Sequence, residues 1–468
     1  MYDLLLKGAH VVDPLNGVNG VNDVAVEGGK IAAVGPDLPG PAREVIDVSG
    51  WVLQPGIIDS HVHLGSMWGS PYGPRMLAMN GVTTCLDMAG PLDDILEKTP
   101  QYGAGLNTAI LQFASPPFTF KTNAPSKAEM VELIDKSLAE GALGVKLLGG
   151  HYPLTPEVSS TLIKTALERR AYVAWHAGTS AHGSNLEGMI EAVQMADGYP
   201  LHLAHINAYC RGVIKNEIDE ARTAVELLNA NPNIFSESYI SPKNGTRLTC
   251  GPDGKIQSKV TGNCLRHFGF TEDRDGVRKA LLAHKAFAVY DAGGYSDLMT
   301  GEDAVKLWES HNTDVGGSFN INPPIPRILL AQVKRPDGAF VVDAISTDGG
   351  CIPRNVILSQ GLSLVKLDIL TLTEFAQKTS LNPARMLRLT NKGHLSVGAD
   401  ADITIYDYAT QTPKMSFVEG RKVLFKGEVL GKNANIICTE RGQKAIEARG
   451  LKAIVVDPGL PVDRVKAL

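Results

Sequence analysis

The chain alternates between two hydrophobic patterns. Short runs rich in Val, Ile, Leu and Ala recur at Gly81–Met88, Thr108–Phe113, Gly141–Leu148, Tyr172–His176, Leu201–Ile206, Ile234–Tyr239, Phe287–Asp291 and Phe340–Ser346. Runs of this length with few charges predict buried strands. Between several of them the apolar spacing changes to the helical period. Ser126–Gly141 is the clearest case: Ser126 and Glu129 make a capping box, and Gly141 ends the run. Pro156–Arg170 and Glu217–Asn229 predict two more helices. Strand and helix alternating across residues 55–390 means an α/β domain of parallel βαβ units. A closed (β/α)8 TIM-like barrel and an open doubly wound sheet both satisfy this pattern. No G-x-G-x-x-G follows a strand, so the dinucleotide-binding form of the open sheet lacks its signature.

The two ends read differently. Asp3–Lys7, Asp23–Glu27 and Lys30–Val34, and then Ala401–Tyr406, Lys414–Glu419, Lys422–Phe425 and Glu428–Leu430, are strand-like runs with polar or glycine-bearing turns between them. The expectation is one small β-sandwich domain made from residues 1–54 and 391–468, with the larger domain of residues 55–390 inserted between its halves. The stretch 241–269 carries Pro242, Asn244-Gly245, Gly251-Pro252 and Gly262-Asn263 with little helical period. It is expected to be an excursion from the barrel, a hairpin or lid.

Composition narrows the function classes. The 468 residues are 44% hydrophobic and 20% charged, which excludes a disordered chain. Lys plus Arg number 45 against 50 Asp plus Glu, for a net charge of −5, so the balance argues against coating nucleic acid or an anionic membrane. No uncharged apolar run reaches the roughly 18 residues of a membrane span. The opening residues, with Asp3 and Lys7, do not read as a signal peptide. Six cysteines form no C-x-x-C pair. Free thiols, a reducing compartment and a cytoplasmic protein are expected.

The sharpest chemistry lies in QPGIIDSHVHL at 54–64. His61 and His63, two apart on a strand, point to one face and can share a metal ion. Lys146 stands in the apolar run GALGVKLL, where a buried cation is costly unless it snorkels or finds a partner. His176 and His205 end the apolar runs YVAWH and LHLAH, while His202 faces the opposite side from His205. Asp348 follows an apolar run and precedes Gly349-Gly350; a carboxylate there is suited to ligating a metal and taking a proton. Taken singly, these residues also read as core histidines, a paired lysine and a helix N-cap.

Together they carry a resemblance. The 54–64 run resembles the P-G-hydrophobic-x-D-x-H-x-H signature of the amidohydrolase superfamily. GVTT at 81–84, TSLNPAR at 379–385 and GHLSVGADAD at 393–402 match further stretches of that family, in its order. The resemblance spans nearly the whole chain and is closest to the dihydroorotase, hydantoinase and urease-like branch and to D-aminoacylase-like amidohydrolases. It implies a metal-bearing (β/α)8 barrel flanked by a β-sandwich. It also implies two divalent ions held by His61, His63, Lys146, His176, His205 and Asp348, with Lys146 carbamylated as the bridging ligand. Zinc is the first expectation, with manganese, iron and nickel open. Asp348 is the implied proton shuttle. The implied reaction is hydrolysis of a C–N amide bond, in a cyclic amide or imide or an N-acyl amino acid, by a metal-activated hydroxide. Substrate contacts are expected from loops after the strands: His151, Tyr152, Ser180, His182, Asn207, Tyr209, Arg211 and Tyr239. Arg211 suits a carboxylate. The partners implied are a small-molecule substrate and further copies of the chain in a homo-oligomer, with no nucleic acid and no membrane. Two other readings stand beside this one. Hydrolytic deamination of an amino-heterocycle is weakened because no H-x-x-E follows His176. A non-catalytic hydantoinase-like scaffold is weakened because every expected ligand type is present.

Overall fold

In the computed structural model, which describes residues 1–462 and Arg464 apart from the side chain of Trp68, parallel strands carry the middle of the chain. They are β1 (Ile57–His63), β2 (Val82–Ala89), β3 (Ala104–Ala114), β4 (Gly144–Leu148), β5 (Tyr172–His176), β6 (Leu201–Leu203) and β7 (Ile234–Tyr239), paired in chain order. The eighth, β8, is a broken run. Its first part, Ala344–Ser346, pairs with β7, and its second, Gly349–Gly350, pairs with β1. Thr347 and Asp348 occupy the break. This double pairing closes the sheet, so the barrel is the outcome and the open sheet is not. β1 and β2 are buried along their whole length, as strands covered on both faces must be. Register sets the levels of the interior: Ala174 of β5 lies opposite Lys146 on one side and His202 on the other.

The helices between strands form where the sequence places them. α1 (Lys127–Glu140) starts at a complete capping box between Ser126 and Glu129, and it stops at Gly141, which is left-handed with φ 112°. Its apolar side, Met130, Ile134 and Leu138, packs in one cluster with Leu147, Leu162, Val173 and Met189. α2 (Pro156–Glu168), α3 (Leu186–Ala196) and α4 (Glu217–Ala230) follow β4, β5 and β6. Each begins at a side-chain cap, from Thr155, Asn185 and Asn216.

The chain ends share a nine-stranded sheet. Val52–Pro55 runs parallel to Tyr2–Asp13 and antiparallel to Ile403–Asp407, which stitches the two ends together. Leu4, Leu6, Val11, Val24, Leu53, Ile403, Ile405 and Phe417 form its core. No helix among the described residues is long and apolar enough to cross a membrane.

Three expectations are corrected. First, the segment 391–468 is divided between both domains. Asn433–Cys438 leaves the terminal sheet and pairs in parallel with the first half of β3, with Lys452–Val455 beside it. Ile436 and Ile437 are buried there; apolarity marks a strand but not the edge it will join. Residues 463 and 465–468 of that segment lie outside the described residues. Second, the excursion reaches well beyond 241–269. A four-stranded antiparallel sheet (Thr246–Arg247, Gly316–Phe319, Ala286–Asp291 and Ser296–Met299) combines with α5 (Lys259–His267), α6 (Arg274–Leu282) and α7 (Glu302–Ser310). α5 lies within the stretch read as a hairpin or lid, and Ser258 caps it by accepting from Thr261 N. Third, Phe287–Asp291 is not a barrel strand. It folds back on Ser296–Met299 through Gly293-Gly294, both at positive φ. A short glycine turn makes an antiparallel pair, which a parallel barrel does not use.

This inserted subdomain has its own core of Leu248, Leu265, Val277, Leu281, Trp308 and Phe319. Trp308 is fully buried, and its Nε1 donates to Leu248 O at 2.9 Å. Trp308→Ala should cost about 3–5 kcal/mol, confined to the insertion. Hydrogen exchange should then accelerate across residues 246–319 while amides of β1–β7 keep their protection. Equal acceleration in the barrel would show that the two parts unfold as one unit.

Candidate metal centre

β1 delivers His61 and His63 at its C-terminal end, and the break in β8 delivers Asp348 beside them. His61 Nε2 and His63 Nε2 lie 3.3 and 2.9 Å from the same Asp348 Oδ1. The ligand atoms of these three buried residues all fall within 4.8 Å of one another, a spacing that one ion can bridge. A second pair adjoins them. His205 Nε2 is 3.0 Å from His176 Nδ1, and the His205 ring stacks on His61 with centroids 5.1 Å apart. His205 Nδ1 is buried with no hydrogen-bond partner among the described residues. An orphaned imidazole nitrogen in a group of nitrogen and oxygen donors fits a metal ligand. Lys146 is 1% exposed, and its Nζ rests 2.9 Å from Met88 Sδ.

Backbone geometry aims these groups. His205 and Asp348 have φ of +36° and +51°, a region that residues with a Cβ rarely occupy. Each is held there by a hydrogen bond: His205 N donates to Glu237 Oε1 at 2.6 Å, and Asp348 N donates to His61 O at 2.9 Å. Gly150 gives His176 its room, because a Cβ there would lie 2.0 Å from His176 Nε2.

Burial decides the charge states. It holds His61, His176 and His205 well below the ordinary imidazole pKa, with neighbouring imidazoles and Lys146 pushing the same way. Neutral imidazole is the form that binds a metal. Burial alone would raise Asp348, but Arg354, His61 and His63 reverse that and hold its carboxyl well below the usual range. Arg354 grips it twice, Nη2 to Oδ2 and Nε to the backbone oxygen, each at 2.6 Å. Oδ1 is left turned toward the histidines. Burial also lowers the Lys146 amine below its ordinary value, against the pull of Glu237, Asp348 and Asp87, which favours the neutral form.

Four residues of the site went unassigned in the sequence. Glu237, in the middle of β7, is fully buried with Oε1 2.6 Å from His61 Nδ1. A charge in a buried strand was the signal used for Lys146 and applied equally here. Arg354 comes from the loop after β8 and carries no local signal. Asp87 accepts from Leu64 N at 2.6 Å and Ala89 N at 3.1 Å, and burial pushes it up to about 6. Asp59, within the signature run, bonds Thr347 and so ties β1 to β8; burial pushes it up to about 7.

A cavity of about 600 Å³ opens over the centre. His61, His63, Lys146, His176, His205 and Asp348 all line it, and so do His151, Arg211 and Tyr239. Arg211 donates to Tyr239 OH at 3.0 Å and to Asn322 Oδ1 at 2.8 Å. Tyr152 lines an adjoining cavity of about 320 Å³. Asn207 and Tyr209 stand behind the wall instead. Asn207 Oδ1 accepts from Tyr239 N at 3.1 Å, and Tyr209 OH accepts from Ala177 N at 2.8 Å. Ser180 is exposed, and His182 pairs with Glu191 at 3.0 Å, neither on the cavity wall. His202 lies deeper, 2.8 Å from Tyr172 OH. α5 adds Lys259, Arg266 and His267 to the wall, on which Asp348 is the one carboxylate among the described residues.

The profile of the Amidohydrolase family matches residues 327–434. A dihydroorotase of Geobacter metallireducens is 25% identical over 430 residues, covering 86% of this chain and 90% of its own length. An allantoinase of Deinococcus radiodurans is 27% identical over 94% of this chain and 98% of its own length. A solved D-aminoacylase, described with a binuclear metal centre, has the same fold, with a TM-score of 0.66 at 18% identity over 93% of this chain and 99% of that one.

Burial holds His202 well below the ordinary imidazole value, despite the opposing pull of Glu237. The unfolded chain therefore takes up a proton below about pH 6.5 that the folded chain refuses. The stability contributed is full above that pH and drains away as pH falls. In metal-free protein, wild type should lose stability between pH 6.5 and 5 more steeply than His202→Asn, by up to about 1.4 kcal/mol per pH unit. Urea unfolding at both pH values measures the difference; equal slopes would show that His202 titrates normally.

Proposed function

We propose that the chain is a member of the amidohydrolase superfamily, to which its profile match and its relatives point, and that it hydrolyses a C–N amide bond of a small anionic substrate. The substrate class is a cyclic amide or imide, or an N-acyl amino acid. The observation that carries this reading is the convergence of six ligand-type residues, from the ends of five barrel strands, on one cavity.

His61, His63 and Asp348 would hold one divalent ion, and His176 and His205 a second. Zinc is the first choice for a donor set rich in neutral imidazole. Lys146 would bridge the two as a carbamate. Its neutral amine adds to CO2, an N–C bond forms, one proton leaves, and an anion replaces the buried cation. Bound ions supply a Lewis acid for the substrate carbonyl and lower the pKa of water. Asp348 takes a proton at Oδ1 and returns it to the departing nitrogen, while Arg354 keeps Oδ2 fixed. Arg211, Lys259 and Arg266 receive the substrate's negative charge. Arg211, Lys259 and Arg266 on the cavity wall, with Asp348 already paired to Arg354, support an anionic substrate in a protein of net charge −5. Six unpaired cysteines support a reducing, cytoplasmic compartment.

Lys146→Ala should lose one of two bound ions and most activity, with partial rescue by short carboxylic acids. Isotopically labelled bicarbonate should give wild type a carbamate carbon signal that the variant lacks. Two ions bound without that signal would remove the carbamate. Asp348→Asn should keep most of its metal but lose on the order of 10²-fold or more in kcat, with KM far less changed. Wild-type kcat at full metal content would take Asp348 out of proton transfer. Rates across cyclic imides and N-acyl amino acids, each with and without a second carboxylate, test the substrate class; indifference to charge would count against it.

A further inference from the structure

Glu237 bonds two of the six ligand-type residues and the break in β8 at once. Oε1 lies 2.6 Å from His61 Nδ1 and accepts from His205 N at 2.6 Å, while Oε2 accepts from the Ser346 hydroxyl. One carboxyl group, fully buried at the middle of β7, thus reaches β1, the turn after β6 and the last residue before the break in β8.

The geometry fixes two things. Oε1 already accepts from the His205 amide, and with that oxygen as the acceptor toward His61 as well, the ring proton of His61 sits on Nδ1. That leaves the lone pair on Nε2, the nitrogen that faces Asp348 Oδ1 and the cavity. The same oxygen holds the amide of His205, whose left-handed φ of +36° throws its ring between His61 and His176. Releasing that amide lets the turn relax and carries His205 Nε2 away from His176.

We propose that Glu237 is a positioning residue for both halves of the metal centre, setting the tautomer of His61 and the turn that aims His205. The proposal rests on the metal-binding reading above but not on any particular amide being the substrate. A carboxylate that orients a ligating imidazole is worth about 10–100-fold in metal affinity. A residue that merely fills space is worth none.

The test uses full-length protein and zinc alone. Glu237→Gln keeps the shape and can still accept one hydrogen bond, so the metal-free melting temperature should stay close to wild type. Zinc Kd, measured by chelator competition, should rise about 10–100-fold. Glu237→Asp, a methylene shorter, should not restore it. Imidazole nitrogen NMR of metal-free wild type should show His61 protonated at Nδ1, and Glu237→Gln should show a mixture of tautomers. Unchanged zinc Kd in Glu237→Gln, or His61 protonated at Nε2 in wild type, overturns the proposal; the second readout needs no variant to fold. If wild type bound no zinc, the metal reading itself would fall. If zinc bound as expected but no amide were hydrolysed, the substrate reading would fall and the role of Glu237 would stand.

Discussion

The pairing of β1 with the broken run Ala344–Gly350 is the contact on which the rest of the structure depends. A barrel needs its last strand to meet its first, and here that strand is interrupted at Thr347-Asp348. Asp59 holds Thr347 from the β1 side, and Asp348 N bonds His61 O. The break therefore stays closed as a sheet while one side chain turns out of the ladder toward the axis. Continuous pairing would send Asp348 to a position dictated by strand alternation. The interruption frees it to meet His61 and His63.

The centre gathers polar groups where water is scarce, and it survives because their charges are arranged in opposition. The imidazoles of His61, His176 and His205 are held neutral by burial, so they crowd together without repulsion. The Asp348 carboxylate, held well below its usual pKa, has Arg354 locked to it. Such a pair gives little net stability, but breaking it strands a buried charge at a cost of about 3–5 kcal/mol. Asp348 is thereby committed to its place by its partner as well as by its backbone.

Much of this was legible in the sequence, and the exceptions have physical causes. Helix α1 was written locally, in Ser126, Glu129 and Gly141, so its ends fell where the pattern put them. β5 and β7 likewise keep the bounds that their apolar runs suggest. The six expected ligands meet because strand ends of a barrel converge whatever the sequence between them. Arg354 could not be read, since its role arises from contacts with Asp348 and with Lys243 O that its neighbours in sequence do not encode. Asn207 and Tyr209 sit in the right loop but point into hydrogen bonds that brace it, a choice made by packing. Phe287–Asp291 was recognisable as a strand, but which sheet it joins is a tertiary decision; Asn433–Cys438, with two asparagines in six residues, went unmarked and owes its strand to the edge of β3.

The inserted subdomain has one more consequence. Chemistry sits on the barrel, whereas part of the wall facing a bound molecule sits on α5, a helix anchored in a separate hydrophobic core. Substitutions on that helix reshape what the cavity admits without disturbing a strand end. The two tasks are therefore separable in sequence space: the hydrolytic apparatus can stay constant while the insertion diversifies, and a change of diet would not require a change of catalyst.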